Sequence, residues 1–200
     1  MCEGINAGRR TVPFPEVAQP HIPHMFTLAS RDSLADLPGL KTERLSIGAL
    51  LLADAQALRR LTDDPAITGA VDFLPDPFTL QDAHDLIGCA RRGRDRFLGA
   101  WAQDDQSLVG VVGTHLRGEG VVEIGYWIGG AARGRGYATE AVRGVLELLG
   151  RRFPRRAIVA ECRPANVASW GLLTKLGFSD TGDDGHRPGR RVMICDRRRG

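Results

Sequence analysis

Apolar and polar residues alternate over Arg44-Leu45-Ser46-Ile47, as along a half-buried strand. The period then changes: Leu51, Ala55, Leu58 and Leu61 fall on one helical stripe, which Asp63-Asp64-Pro65 ends. Thr79-x-x-Asp82 has the form of a capping box and predicts a second helix running to about Arg92. Three short runs of β-formers follow, Phe97–Ala102, Leu108–Leu116 and Val121–Ile128. Asp104-Asp105 and Gly118-Glu119-Gly120 separate them, and such short separators predict antiparallel hairpins. A helix after Gly136 buries Ala138, Ala141, Val142, Val145, Leu146 and Leu149, and Ala157–Cys162 reads as another strand. Asn166 is placed to cap a helix with Val167, Trp170, Leu173 and Leu176 inward, closed by Gly177. Phe178–Thr181 and Val192–Cys195 complete the pattern as a strand pair. This order predicts an α/β (α+β) domain whose mixed sheet of about six or seven strands carries helices on both faces.

Two hundred residues with 42% hydrophobic content suit one domain with a core of its own. Residues 1–38, broken by Pro13, Pro15, Pro20, Pro23 and Pro38, read as an irregular arm, residues 39–197 as the domain, and 198–200 as a tail. The scattered Cys2, Cys89, Cys162 and Cys195 have no zinc spacing and suit a reducing compartment, where a lone Cys acts as a small hydrophobe. His21-Ile22-Pro23-His24 lacks a third ligand, so no metal is expected. No apolar run approaches membrane-spanning length and no signal-peptide pattern follows Arg9-Arg10, which predicts a cytoplasmic protein without a membrane partner. A net charge of +3, with Phe153 the lone aromatic in the Arg runs at 151–156 and 197–199, argues against a nucleic-acid partner.

The segment Gly129-Gly130-Ala131-Ala132-Arg133-Gly134-Arg135-Gly136 joins a strand to an abrupt helix start. Free N–H groups at a helix N-terminus and the helix dipole favour an anion there, and glycine lets phosphate approach the backbone. Arg133 and Arg135 add positive charge. No Gly-Lys-Ser/Thr follows and G-x-G-x-x-G is absent, so neither a Walker loop nor a dinucleotide fingerprint is present. A diphosphate loop is the expectation.

Arg133-Gly134-Arg135-Gly136-Tyr137-Ala138 matches the Arg/Gln-x-x-Gly-x-Gly/Ala motif, so the chain resembles the GNAT N-acetyltransferases. Glu123 through Ile128, Asn166-Val-Ala-Ser169, Lys175-Leu-Gly-Phe178 and Thr42-Glu43-Arg44-Leu45 are similar to the RimJ/RimL branch, the ribosomal-protein-alanine N-acetyltransferases. The resemblance spans about Lys41 to Asp196 and implies a mostly antiparallel twisted sheet whose central strands splay to admit acetyl-CoA. It implies that the backbone of Arg133, Gly134, Arg135, Gly136, Tyr137 and Ala138 holds the diphosphate of acetyl-CoA as co-substrate. Pantetheine would pair beside Trp127 and Ile128, where an amide could polarise the thioester carbonyl. Asn166 would contact coenzyme or acceptor, and Ser169 would hydrogen-bond the departing thiolate. Asn166 is equally a plain N-cap, Ser169 could simply face solvent, and Tyr137 and Trp127 read better as core and wall than as reactive groups.

The base is the open question. Glu123 is either a base or a structural and orienting carboxylate, and Asp183, Asp184 and His186 are substitutes in the closing loop. An α-amine is roughly 10–15% neutral at pH 7 and a lysine amine about 0.04%, so a site with a weak base favours an α-amine. The expected activity is direct acetyl transfer in a ternary complex to a primary amine, a protein N-terminus or a small molecule of aminoglycoside type. A homodimer stays open. The rival readings are a non-catalytic acyl-CoA-binding module and an Arg-rich nucleic-acid binder.

Overall fold

The computed structural model describes residues 32–89 and 93–196. The arm expected over 1–38 lies outside them up to residue 31, His21 and His24 included, as do the expected helix end at 90–92 and the tail.

The elements follow the sequence pattern closely. They are β1 (Leu40–Lys41), β2 (Leu45–Ala49), α1 (Ala55–Thr62), α2 (Pro65–Thr68), α3 (Leu80–Cys89) and β3 (Asp95–Ala102). There follow β4 (Leu108–Arg117), β5 (Val121–Ile128), α4 (Tyr137–Arg152), β6 (Ala157–Cys162), α5 (Val167–Lys175), β7 (Phe178–Asp184) and β8 (Arg191–Cys195). The eight strands form one sheet in the order β1-β2-β3-β4-β5-β6-β8-β7, so the fold is the expected mixed α/β type. The eighth strand is β1, whose two residues are too short to show an alternation.

Capping chemistry sets the helix starts. At α3 the Thr79 N–H donates to Asp82 Oδ2 at 2.8 Å and the Asp82 N–H donates to Thr79 Oγ1 at 3.2 Å, a reciprocal box. Asp64, expected only to end a helix, also starts one: its Oδ1 accepts the Ala66 N–H at 2.9 Å and Pro65 opens α2.

Helices cover both faces of the sheet. On one face α4 buries Tyr137, Ala141, Val142, Val145, Leu148 and Leu149 against Val122, Ile124 and Ile158. Each such side chain contributes about 1.5–3 kcal/mol when fully buried. Of the stripe expected for this helix, Ala138 and Leu146 are only half-buried, and Tyr137 and Leu148 take the deep positions. Leu34 and Leu37 join this core from upstream of β1. On the other face Leu58, Leu61, Ala83 and Ile87 pack on Phe97, Val111 and Trp127. Val167, expected inward, is 77% exposed; α5 is only nine residues long and buries Leu173 alone. Cys162 and Cys195 form no disulfide, while Cys89 is disulfide-bonded and so departs from the lone-thiol reading.

One break in the sheet places the site. β4 and β5 pair along the whole of β5, from Val121 to Ile128. The parallel pair β5 and β6 holds only from Val121↔Ala157 to Ile124↔Ala160. Beyond Ala160, β6 continues along β8 through Glu161 and Cys162. The two strands part, and Gly125 to Ile128 has no ladder partner on that edge.

Candidate active site at the strand divergence

A cavity of about 640 Å³ opens at this divergence, between β5, β6, α5 and the loop before α4. The loop owes its shape to two glycines. Gly134 and Gly136 have φ of 74° and 80°, the left-handed region in which a side chain costs about 1–2 kcal/mol. A Cβ on Gly134 would meet nothing within 4 Å, so that position is open. The Glu140 N–H donates to the Gly136 carbonyl at 3.1 Å as the first turn of α4, which leaves the N–H groups of residues 137–139 without helical acceptors.

Side chains brace this loop from behind. The Arg133 guanidinium turns away to Asp64 Oδ2 at 3.0 Å and to the Ile128 carbonyl at 3.3 Å. Arg44 pairs with Glu140 at 2.7 Å, donates to the Arg135 carbonyl at 2.9 Å, and lies 4.9 Å from the Tyr137 ring centre. Arg135 lies 5.0 Å from the same ring. Tyr137 is thus a buried wall between cations, and Ala138 lines the cavity beside it. Among the described residues nothing fills the Gly134 side of the cradle, and at Gly136 the nearest atom to a Cβ would be the cationic Arg44 Nη2 at 3.2 Å, so the backbone of 133–138 fits a bound diphosphate.

α5 brings Asn166 and Ser169 to the same cavity. Asn166 Oδ1 accepts the Ser169 N–H at 3.2 Å, the N-cap role expected of it. Ser169 Oγ is half-buried and 2.7 Å from the Tyr126 hydroxyl, so it does not simply face solvent. Burial pushes the Tyr126 phenol up to about 12, although its hydrogen bond to Ser169 pulls the other way. That phenol therefore stays protonated at neutral pH. Sequence reasoning passed over Tyr126, which alternates onto the α5 side of β5; the partner on α5 that gives it meaning lies 43 positions away.

Glu123, Gly125 and Trp127 point to the opposite face of β5. Trp127 is buried wall: its Nε1 donates to Thr62 Oγ1 at 3.1 Å, and its ring stands against Phe73 and Phe97 at 6.4 and 6.2 Å. Ile128, half-buried, lines the cavity at the end of the strand. Glu123 is enclosed by cations, with Arg117 Nε and Arg187 Nη2 each donating at 2.7 Å, one to each carboxylate oxygen. Burial alone would raise its carboxyl, but the charges of Arg187 and Arg117 outweigh it and hold Glu123 below the usual range. Arg187 also pairs with Glu161 at 3.3 Å. Asp183, Asp184 and His186 do not line the cavity; Asp184 pairs outward with Arg191 at 3.2 Å.

Two loops without a readable code frame the rest. Asp72, after α2, ion-pairs with Arg163 and, at 3.0 Å, with Arg190 of the closing loop. The Arg190 Nη2 also donates to the Ala70 carbonyl at 2.8 Å. The cavity is lined by Arg133, Lys175, Arg187 and Arg190 and by the carboxylates Asp72, Glu123 and Glu161, each of which pairs with an arginine. Among the described residues no cluster of His, Cys, Asp or Glu could hold a metal, and no helix is long and apolar enough to cross a membrane.

Comparison with known proteins fits this geometry. Residues 44–179 match the family model described as the acetyltransferase (GNAT) domain. An uncharacterized N-acetyltransferase of Bacillus subtilis (strain 168), YnaD, is 27% identical over 145 residues, covering 72% of this chain and 84% of that protein. RimL, the ribosomal L7/L12 alpha-N-protein acetyltransferase solved with coenzyme A, superposes with a TM-score of 0.66 at 19% identity, over 76% of this chain and 93% of that one. Aminoglycoside acetyltransferase AAC(6')-Ib, also solved with coenzyme A, gives 0.65 at 18% identity over 77% of this chain and 95% of that one.

Proposed function

The chain belongs to the GNAT acetyltransferase family and uses acetyl-CoA as co-substrate, and from that premise we propose that it acetylates a primary α-amine on a peptide. The reading is carried by the break in β5–β6 pairing after Ile124, which opens a strand edge beside the glycine loop. Pantetheine takes the vacated ladder position beside Trp127 and Ile128 as an added strand. The amides of 133–138 hold the diphosphate, with Gly134 keeping the approach open and Arg44 standing beside Gly136.

The chemistry is assigned as follows. The amine attacks the thioester carbonyl directly, and a backbone N–H at the end of β5 stabilises the developing oxyanion. Asn166 orients α5, and Ser169 donates to the departing thiolate. With Tyr126 donating to Ser169 Oγ, the serine keeps its own hydrogen for the sulfur. Neither hydroxyl is acidic enough to give up a proton outright, so the pair stabilises the thiolate while a proton arrives from the attacking nitrogen. Glu123 holds Arg187 and the closing loop in place; with both oxygens engaged by guanidiniums it is a poor base.

The acceptor class follows from charge. A polycationic aminoglycoside would need an excess of carboxylates, and the acidic groups around this cavity are each matched by arginine. An aromatic wall of Phe73, Phe97 and Trp127 suits the first side chain of a peptide entering between the two loops. On this reading the protein acts as a RimJ/RimL-like enzyme of the cytoplasm, with one catalytic domain over about 39–197.

Thermal-shift titration with acetyl-CoA, followed by mass spectrometry of peptides beginning with Ala or Ser and of an aminoglycoside, tests this. Stabilisation by acetyl-CoA and acetylated peptide are expected; acetylated aminoglycoside alone would overturn the acceptor assignment. Ser169→Ala should lower kcat roughly tenfold with little change in acetyl-CoA affinity, a loss of about 1.4 kcal/mol in the transition state. Tyr126→Phe should act in the same direction and less strongly, because Ser169 keeps its own hydroxyl. An unaltered kcat in steady-state assays of Ser169→Ala would remove the serine from the reaction.

A further inference from the structure

With Glu123 occupied, the acceptor ammonium still needs somewhere to leave its proton. We propose that His115 takes that proton as general base and that Asp95 is its positioning residue, an inference that rests on the amine-acetyltransferase reading above.

His115 sits on β4 directly opposite Glu123 on β5 and Asp95 on β3. It is 8% exposed, yet it lines the cavity. Its Nδ1 is 2.7 Å from Asp95 Oδ1, and the Phe97 ring meets it edge-on at 5.5 Å, so both its tautomer and its plane are set. An ionised carboxylate can only accept, so Nδ1 carries the hydrogen and the neutral ring presents its Nε2 lone pair. Hydrogen bonding to His115, with help from Arg117 against the cost of burial, holds the Asp95 carboxyl below its ordinary value.

The space over Gly113 is filled by the His115 ring edge and by Phe97, whose Cε1 stands 3.1 Å from where a Cβ would be. A Cβ built on Gly113 would come within 2.9 Å of Nε2, which places the lone pair over that glycine. Gly113 pairs with Gly125 of β5, where a Cβ would meet nothing within 4 Å. The open space is over Gly125, where there is room for a water or the amine. Gly125 lies three residues before Ile128, about 10 Å along β5, so Nε2 reaches the strand end through the cavity that both line. A short chain of waters spans that distance and carries the proton.

The protons balance. The acceptor ammonium gives one proton through water to Nε2, and the freed lone pair forms the C–N bond as the carbonyl π electrons move to oxygen. Collapse breaks the C–S bond, and the second nitrogen proton passes to the sulfur through the Ser169 and Tyr126 hydroxyls. His115 then returns its proton to solvent. The charged groups that face it are Asp95 from β3, Arg117 from β4 and Glu123 from β5, with Arg187 of the closing loop beyond Glu123.

The test compares wild type, His115→Gln and Asp95→Asn with acetyl-CoA and an Ala-initiated peptide from pH 6 to 9. His115→Gln should lower kcat at least tenfold at pH 7 and leave the acetyl-CoA melting shift in place. Its deficit should shrink towards pH 9, where the amine is neutral without help. Asp95→Asn should cause a smaller loss with the same trend, and it serves alone if the glutamine variant does not fold. Where wild type acetylates no peptide, slow hydrolysis of acetyl-CoA by water is measured instead, since the same base would activate water. A rate within threefold of wild type across the range, or a loss independent of pH, would overturn the proposal. Failure of wild type to bind acetyl-CoA would instead remove the reading on which it rests.

Discussion

Gly134→Asp should weaken acetyl-CoA binding by at least about 100-fold, a loss of roughly 2.7 kcal/mol, while the domain still folds. Two effects act together at this residue. The carboxylate would place a negative charge where the free N–H groups at the head of α4 and the helix dipole favour an anion. Its side chain would also enter space that is open at present, since a Cβ there touches nothing within 4 Å. The cost to the fold is smaller. At φ of 74° a side chain is strained, though Asp tolerates that region better than most residues. A penalty of about 1 kcal/mol corresponds to some 2–4 °C in a domain of this size. Isothermal titration calorimetry with acetyl-CoA, alongside a melting curve without ligand, separates the two. Unchanged affinity would move the diphosphate away from this loop.

Glu123→Gln should cost about 3 kcal/mol of stability, or roughly 6–12 °C in Tm. The side chain of Glu123 is 7% exposed and faces two guanidiniums, so removing its charge leaves Arg117 and Arg187 without their anion in a poorly solvated place. Both arginines are about 30% exposed, which keeps the cost near the lower end of the range for buried pairs. The effect also depends on pH. The folded carboxyl titrates below its unfolded value, so its contribution is complete above the unfolded value near 4.3 and is lost as pH falls through the folded one. The gap in Tm between wild type and variant should therefore be full at pH 7 and close below pH 4. Melting curves over that range decide it. A gap under 2 °C at neutral pH, or one that persists in acid, would mean that the arginines find other partners and that Glu123 does not anchor the closing loop.

The history of Glu123 shows how site chemistry can escape a linear reading. From the chain alone it is a carboxylate on a central strand, equally a base or a brace. Its two partners are six and 64 positions away. Only the folded neighbourhood tells the two roles apart. The same holds for His115, unremarkable in the sequence until the antiparallel pairing of β3 with β4 sets Asp95 behind it. A signal was available there: the predicted hairpins alternate His115 onto the same face as Val111 and Gly113. Asp183, Asp184 and His186 illustrate the converse. They carry suitable groups in a suitable loop, yet none of them lines the cavity: the two aspartates end β7 and His186 follows it.

What the chain determined by itself is what short-range physics controls. The positions of strands and helices follow apolar period, the starts of α3 and α5 follow Thr79 and Asn166, and the loop before α4 follows glycines whose backbone angles few other residues adopt. Each depends on residues within a few positions of one another, so each is written locally. Tertiary structure alone decided how far β6 follows β5 before parting from it, which side chains neutralise which, and which hydroxyl Ser169 meets. Those outcomes join residues tens of positions apart. Their energies depend on burial and on distances of a few ångströms, and neither exists until the sheet has closed.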